Sequence, residues 1–259
     1  MSDVVEESPI SLRADSLAAL ASFLAERAAA VAASVREAED TGATLLTTED
    51  WELSQFWYDE STARFLAAEV SRCAAEALSV EVSACGSVTT GDDVSAPPII
   101  AAFVSSPSAF KAFRAAGGAP GVRGVLLEFD ARFGVFGEDF VHFDYNTPEN
   151  LRIDAPFLTD SVDVFLIDPP FLNAECLTGF AAALLLMGRK GGASPRILLA
   201  SGAVMLRPAR KLLGLRPTRT AIKHAAGRLS NPFALFSNYM RPELGGWDEE
   251  AEASAEKGV

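Results

Sequence analysis

Short apolar runs alternate with helix-like stretches between residues 99 and 239, and few architectures accommodate that order. Ile99–Val104 (IIAAFV) and Val162–Ile167 (VDVFLI) carry almost no polar side chain, so both faces of each strand must be covered. Val122–Phe129, a short Phe140–Phe143, Arg196–Ala200 and Phe233–Tyr239 read as further strands. A helix is expected from Pro107, because proline suits a first helical turn, and it should stop at Gly117-Gly118. An apolar helix is expected over 174–187. Strands alternating with helices predict an α/β fold: a mostly parallel sheet with helices on both faces. Ligands of such sheets bind outside the carboxyl ends of the strands, so the residues at those ends matter most.

Outside this core the chain changes character. Leu12 to about Ala38 is Ala-rich and places Leu17, Leu20, Leu24 and Val31 on one helical face, with Asp15 at the N-cap. The block Glu49–Thr62 (EDWELSQFWYDEST) is dense in aromatics and opens a second amphipathic helix, with Phe65, Leu66, Val70 and Cys73 pointing inward. Ser79–Pro98, rich in Ser, Thr, Gly, Asp and Pro, reads as a loop. The expected division is a tail and helix over 1–47, a main domain over 48–240, and an acidic disordered tail over 241–259.

Hydrophobic residues make up 49% of the chain, enough for a sizeable core and against wholesale disorder. The net charge of −13 argues against a general binder of nucleic acid or anionic membranes. The charge is uneven: Arg189–Met240 holds ten Lys and Arg and no acid, so the other 207 residues carry −23. Arg207, Arg210, Lys211, Arg216, Arg219, Lys223 and Arg228 therefore form the expected docking face for an acidic partner. Three cysteines and two histidines stand far apart, with no metal-ligand spacing and no disulfide framework, which favours a reducing compartment. The first ten residues are acidic, unlike a signal peptide, and the longest apolar stretch, Phe180–Met187, is far shorter than a bilayer span. A soluble cytoplasmic protein with no membrane contact and no obligate oligomer is the expectation.

The strand ends carry chemistry. They read Ser105-Ser106-Pro107-Ser108, Glu128-Phe129-Asp130, Asp144-Tyr145-Asn146 and Asp168-Pro169-Pro170-Phe171. Carboxylates gathered at one edge can accept hydrogen bonds from ribose hydroxyls and an exocyclic amine. The last tetrad is the sharpest signal. Its two prolines extend the backbone and remove two N–H donors, so the loop presents carbonyl oxygens, one carboxylate and an aromatic ring. Such a loop can hold an amine by its N–H groups while the lone pair stays free to attack. Asp/Asn-Pro-Pro-aromatic loops mark S-adenosylmethionine (SAM) enzymes that methylate amino groups of adenine, glutamine or lysine. Cys73, Cys176, Phe110, Phe113 and Phe133 are expected in the core, and His224 at the surface.

Asp50-Trp51, the block Leu53–Tyr58 (LSQFWY), Val104-Ser105, Pro107-Ser108, Glu128-Phe129-Asp130, Arg132-Phe133, Asp144-Tyr145-Asn146 and Asp168-Pro169-Pro170-Phe171 together resemble the eukaryotic elongation factor 1-alpha lysine methyltransferases. That family was first classed as adenine-specific DNA methyltransferases because of the Asp-Pro-Pro-aromatic loop. The resemblance implies a class I methyltransferase (Rossmann-like) fold with seven strands and an N-terminal helical extension. It implies a SAM-dependent protein-lysine N-methyltransferase, with elongation factor 1-alpha as substrate. By position, Asp168, Pro169 and Phe171 would form the catalytic loop, Asp168 orienting the amine. Glu128 would hold the ribose, Asp144 the adenine, and Ser105 and Ser108 the turn under the methionine part. Gln55, Trp57 and Tyr58 would close the pocket. The alternatives are an adenine-amino methyltransferase acting on DNA or RNA, and a non-catalytic module of the same fold. The first loop lacks the glycines usual in SAM enzymes, so Glu128 and the helix at Pro107 must carry more of the binding.

Overall fold

Ile99–Val104 (β1) and Val162–Ile167 (β4) form the centre of the sheet, and all six residues of each are buried. The structure, a computed structural model, describes residues 57–84, 98–225 and 232–257. All of them belong to the unit Glu49–Val259, so the segment 1–48, with its expected first helix, lies outside the described residues.

Helix α1 (Glu60–Ala84) precedes β1; α2 (Pro107–Ala115) links β1 to β2 (Val122–Glu128). A 3₁₀ segment, Ala131–Asp139, leads to β3 (Phe140–His142), and a single helical turn, α3 (Leu151–Asp154), precedes β4. Then come α4 (Ala174–Met187), β5 (Arg196–Gly202), α5 (Leu206–Leu213), β6 (Arg216–Ala221), β7 (Phe233–Ser237) and α6 (Glu249–Lys257). The seven strands run in the order β3-β2-β1-β4-β5-β7-β6. Pairing from β3 to β5 is parallel, while β7 lies antiparallel to both β5 and β6. This is the class I methyltransferase architecture, with the strand order reversing between β1 and β4.

Alternate residues of β1 serve opposite faces. Ile100, Ala102 and Val104 join the cluster that includes Cys176, Leu177 and Phe180 of α4. Phe103 on the other face meets Phe110 and Phe113 of α2, with ring centroids 5.4 and 5.3 Å apart. In α1, Leu66, Val70 and Cys73 are buried as their spacing predicts, and Phe65 is half-buried. Gly124 is needed on β2 because a Cβ there would lie 2.6 Å from the Phe113 ring.

Three expectations are corrected. The helix does not yield to a loop at Ser79 but continues to Ala84. The basic stretch is not mere surface: it supplies α5 and β6, the latter with Pro217 and Thr218 buried. The acidic tail expected to be disordered holds a 3₁₀ turn, Pro242–Leu244, and α6. It is held because Trp247 bridges to Thr218 of β6 and Glu252 forms a bidentate pair with Arg216 (Nε 2.8 Å, Nη2 2.6 Å). No described helix is long and apolar enough to cross a membrane.

Candidate active site

Val104, the last residue of β1, pairs with Leu127 on one side and Ile167 on the other. Glu128 and Asp168 therefore stand one residue further on, flanking Ser105, two strand spacings or about 9–10 Å apart. Backbone bonds continue past the strand ends: Ser105 N–H donates to Leu127 O at 2.7 Å, and Asp168 N–H to Val104 O at 3.0 Å. Ser105 lies in the left-handed region (φ 53°), a strained conformation for a residue with a Cβ, and it turns the chain sharply into α2. The expected Ser105–Ser108 turn is thus present, but Ser108 is engaged inside the protein. Its Oγ accepts the Tyr58 N–H at 3.4 Å.

Tyr58 is the residue that ties this edge together. Its hydroxyl donates to Oδ2 of Asp168. Packing around Asp168 raises its carboxyl to about 8; the Tyr58 bond opposes that rise and the Glu128 carboxylate adds to it. Burial likewise raises Glu128 to about 7, opposed by backbone N–H groups and reinforced by Asp130. Oε1 of Glu128 accepts the N–H groups of Phe129 (3.0 Å) and Asp130 (3.3 Å). Oε2 accepts no bond among the described residues, which leaves it open toward a ligand. Asp130 caps the following 3₁₀ segment and is neutralised by Arg132 (2.6 Å), so it does not compete for the same ligand.

The aromatic block is clipped to the loop after β6. Asp59 N–H donates to Lys223 O (2.9 Å), Ala225 N–H to Trp57 O (2.8 Å), and Tyr58 bridges to His224. Trp57 is half-buried, its ring 6.2 Å from Phe133 and capped by the Lys111 ammonium at 5.4 Å. Phe110, Phe113 and Phe133 are core, as expected. Gln55 lies outside the described residues. His224 is not a surface residue: it is half-buried, with its ring 5.3 Å from Tyr58 and 4.5 Å from Phe233.

Asp144 follows β3 and closes a turn, its Oδ1 accepting both the backbone and side-chain N–H groups of Asn146 at 2.8 Å. Beside Glu128, Phe129 is 49% exposed and its ring lies 5.3 Å from His142, an aromatic surface that strand-end acids alone did not indicate. In the tetrad, Pro169 is buried, while Phe171 is 42% exposed with its ring 6.2 Å from Tyr145. Tyr145 is held close to α4: a Cβ at Gly179 would lie 2.1 Å from its carbonyl oxygen.

The basic stretch is only partly available for a partner. Arg216 and Arg210 face Glu252, Arg189 pairs with buried Asp163, and Lys190 pairs with Asp160. A second network escaped sequence reading altogether: fully buried Glu69 accepts from Tyr239 Oη (2.8 Å) and Arg241 Nε (3.1 Å), with Cys73 Sγ 3.0 Å from the same hydroxyl. Burial pushes that thiol up to about 11, so Cys73 is inert packing rather than a nucleophile.

The family model described as "Probable N6-adenine methyltransferase" matches residues 49–241. Protein-lysine N-methyltransferase M142.8 of Caenorhabditis elegans is 35% identical over 230 residues, covering 88% of this chain and 94% of that protein. EEF1A lysine methyltransferase 1 of Gallus gallus is 36% identical over 191 residues, covering 74% and 76%. Its human counterpart is 30% identical over 239 residues, covering 92% and 96%.

Proposed function

The chain belongs to the protein-lysine N-methyltransferases that include EEF1A lysine methyltransferase 1, and from that premise we propose that it methylates a lysine of elongation factor 1-alpha, with SAM as methyl donor. The observation that carries the reading is Asp168 and Glu128 flanking the strained Ser105 turn, with Tyr58 bound to the first and the second keeping one oxygen open.

The residues fit SAM. Oε2 of Glu128 can accept both ribose hydroxyls, and a charged acceptor strengthens each bond. Phe129 and His142 offer ring surface for the adenine, with Asp144 at its rim. The Ser105–Ser108 turn would face the methionine part, and Trp57 and Tyr58 would cover it. When bound, the cofactor supplies a methyl group on a sulfonium.

A lysine amine has an ordinary pKa of about 10.4 and must lose a proton before it can attack. Apolar surroundings favour its neutral form. An ordinary carboxylate is about six units too weak a base for this proton, but at about 8 Asp168 is far better matched. In this reading Asp168 orients the amine and, once ionised, can accept its proton. Carbonyl oxygens of the Pro169-Pro170 loop hold the remaining N–H groups. Phe171 and Tyr145 line the channel, where ring faces stabilise the cationic product by about 0.5–2 kcal/mol. The adenine-amino reading shares the loop, yet the net charge of −13 and the internal pairing of Arg210 and Arg216 disfavour an extended polyanion.

The test is methyl transfer from labelled SAM to recombinant elongation factor 1-alpha and, in parallel, to DNA and RNA. Label on a lysine of the factor alone is expected; label on nucleic acid alone would overturn the reading.

A further inference from the structure

A second cleft, of about 610 Å³, lies between the start of α5, the β6–β7 hairpin and α6. That is the size of a ligand cleft and gives room for a few residues of extended chain. Its floor is apolar, with Phe233 and Phe236, and Val204 stands 62% exposed at its mouth. Arg207 and Arg219 are exposed along it. Arg219 makes no ion pair among the described residues. The one acid among the described lining residues, Asp248, is turned inward, its carboxylate accepting the Ala251 N–H at 3.0 Å to cap α6.

One end of the cleft reaches the methyl-transfer edge. Phe233 pairs with Gly202 at the carboxyl end of β5, and its ring contacts His224, which contacts Tyr58. Gly202 is closely approached by Leu172, the residue after the tetrad: a Cβ on Gly202 would lie 2.7 Å from it. The floor of the cleft is thus continuous with the walls around Asp168.

We propose that this cleft docks an extended segment of the polypeptide substrate, one carrying acidic side chains around an apolar residue, and so decides which lysine reaches Asp168. The inference rests on the protein-lysine reading above. Charge complementarity with Arg219 calls for acidic side chains, and the floor calls for an apolar one between them. A nucleic acid needs a run of phosphate contacts, whereas the described lining offers only two arginines, Arg207 and Arg219.

Two variants test this, Arg219→Glu and Val204→Glu, both at exposed side chains. A short labelled peptide of alternating Asp and Leu and a labelled single-stranded oligonucleotide are titrated by fluorescence polarisation against wild type and each variant, with thermal melts as the check on folding. The peptide is expected to bind wild type, to weaken roughly tenfold in each variant, and to lose that difference as salt rises. The KM for elongation factor 1-alpha should rise with kcat and SAM affinity unchanged. Equal peptide affinity in all three proteins, or binding of the oligonucleotide instead, overturns the docking proposal. If the peptide behaves as expected but wild type leaves the factor unmethylated, the docking cleft stands and the choice of substrate falls.

Discussion

The hydroxyl of Tyr58 donates a hydrogen bond to Oδ2 of Asp168, a residue 110 positions further along the chain. Through its backbone N–H the same tyrosine is bonded to Ser108, and through its ring it meets His224. One residue thus joins the turn after β1, the loop after β4 and the loop after β6. Asp168 is thereby kept in one orientation at the edge where an amine would arrive, and its proton affinity is set partly by a residue from before the sheet.

Tyr58→Phe is expected to fold normally and to lower kcat about 5- to 30-fold, the effect of one hydrogen bond to a charged group. The hydroxyl lowers the Asp168 pKa, so its removal should move the acid limb of the pH–rate profile to higher pH. An unchanged profile would show that the Tyr58 hydroxyl does not act through Asp168.

Asp168→Asn should abolish methyl transfer while raising the stability of the cofactor-free protein at pH 8. The wild-type carboxyl is raised from 3.8 to about 8 on folding. Its contribution is therefore fully present below about pH 4 and is lost as pH rises through 8, because burial penalises the charged form. The variant has nothing to ionise, so its Tm advantage should grow from pH 5 to pH 8, to roughly 3–8 °C. Parallel Tm–pH curves for the two proteins would refute the buried-carboxyl account.

Glu128→Ala is expected to weaken SAM binding tenfold or more by calorimetry, since two bonds to a charged acceptor are lost at about 1.5–3 kcal/mol each. Glu128 also has a raised carboxyl, so folding itself should survive the change. Wild-type affinity in the variant would remove Glu128 from the cofactor site.

Glu69→Ala should cost about 1–3 kcal/mol in urea unfolding, because it removes the buried acceptor of Tyr239 and Arg241 and leaves Arg241 only its ion pair with the exposed Glu76. The loss should be smaller in Glu69→Gln, which can still accept from Tyr239. A near-neutral alanine variant would mean that water takes over the partner's role.

Gly179→Ala forces its new Cβ against the Tyr145 carbonyl, so the turn holding Asp144 must shift. Destabilisation of about 1–3 kcal/mol is expected, together with weaker SAM binding if Asp144 borders the adenine. Lost stability with intact cofactor affinity would separate the turn from the site.

Much of this protein was legible because the signals are local. The apolar runs of β1 and β4 dictate a sheet covered on both faces, whatever surrounds them. Asp168-Pro169-Pro170-Phe171 restricts its own backbone, and Glu128 stands at the end of its own strand. What the sequence could not decide depends on partners distant in the chain. The 207–221 stretch looked like a cationic surface, but Arg216 is spent on Glu252, 36 residues later, and that pair turns an acidic tail into a docked helix. His224 reads as one more basic-region residue until Tyr58 and Phe233 are packed against it. The proton affinities of Asp168 and Glu128 are likewise decided by tertiary structure, since both depend on burial, and that of Asp168 also on the Tyr58 hydroxyl and the Glu128 charge. Local sequence sets backbone preference and which faces must be hidden from water; desolvation and charge pairing exist only once remote segments are brought together.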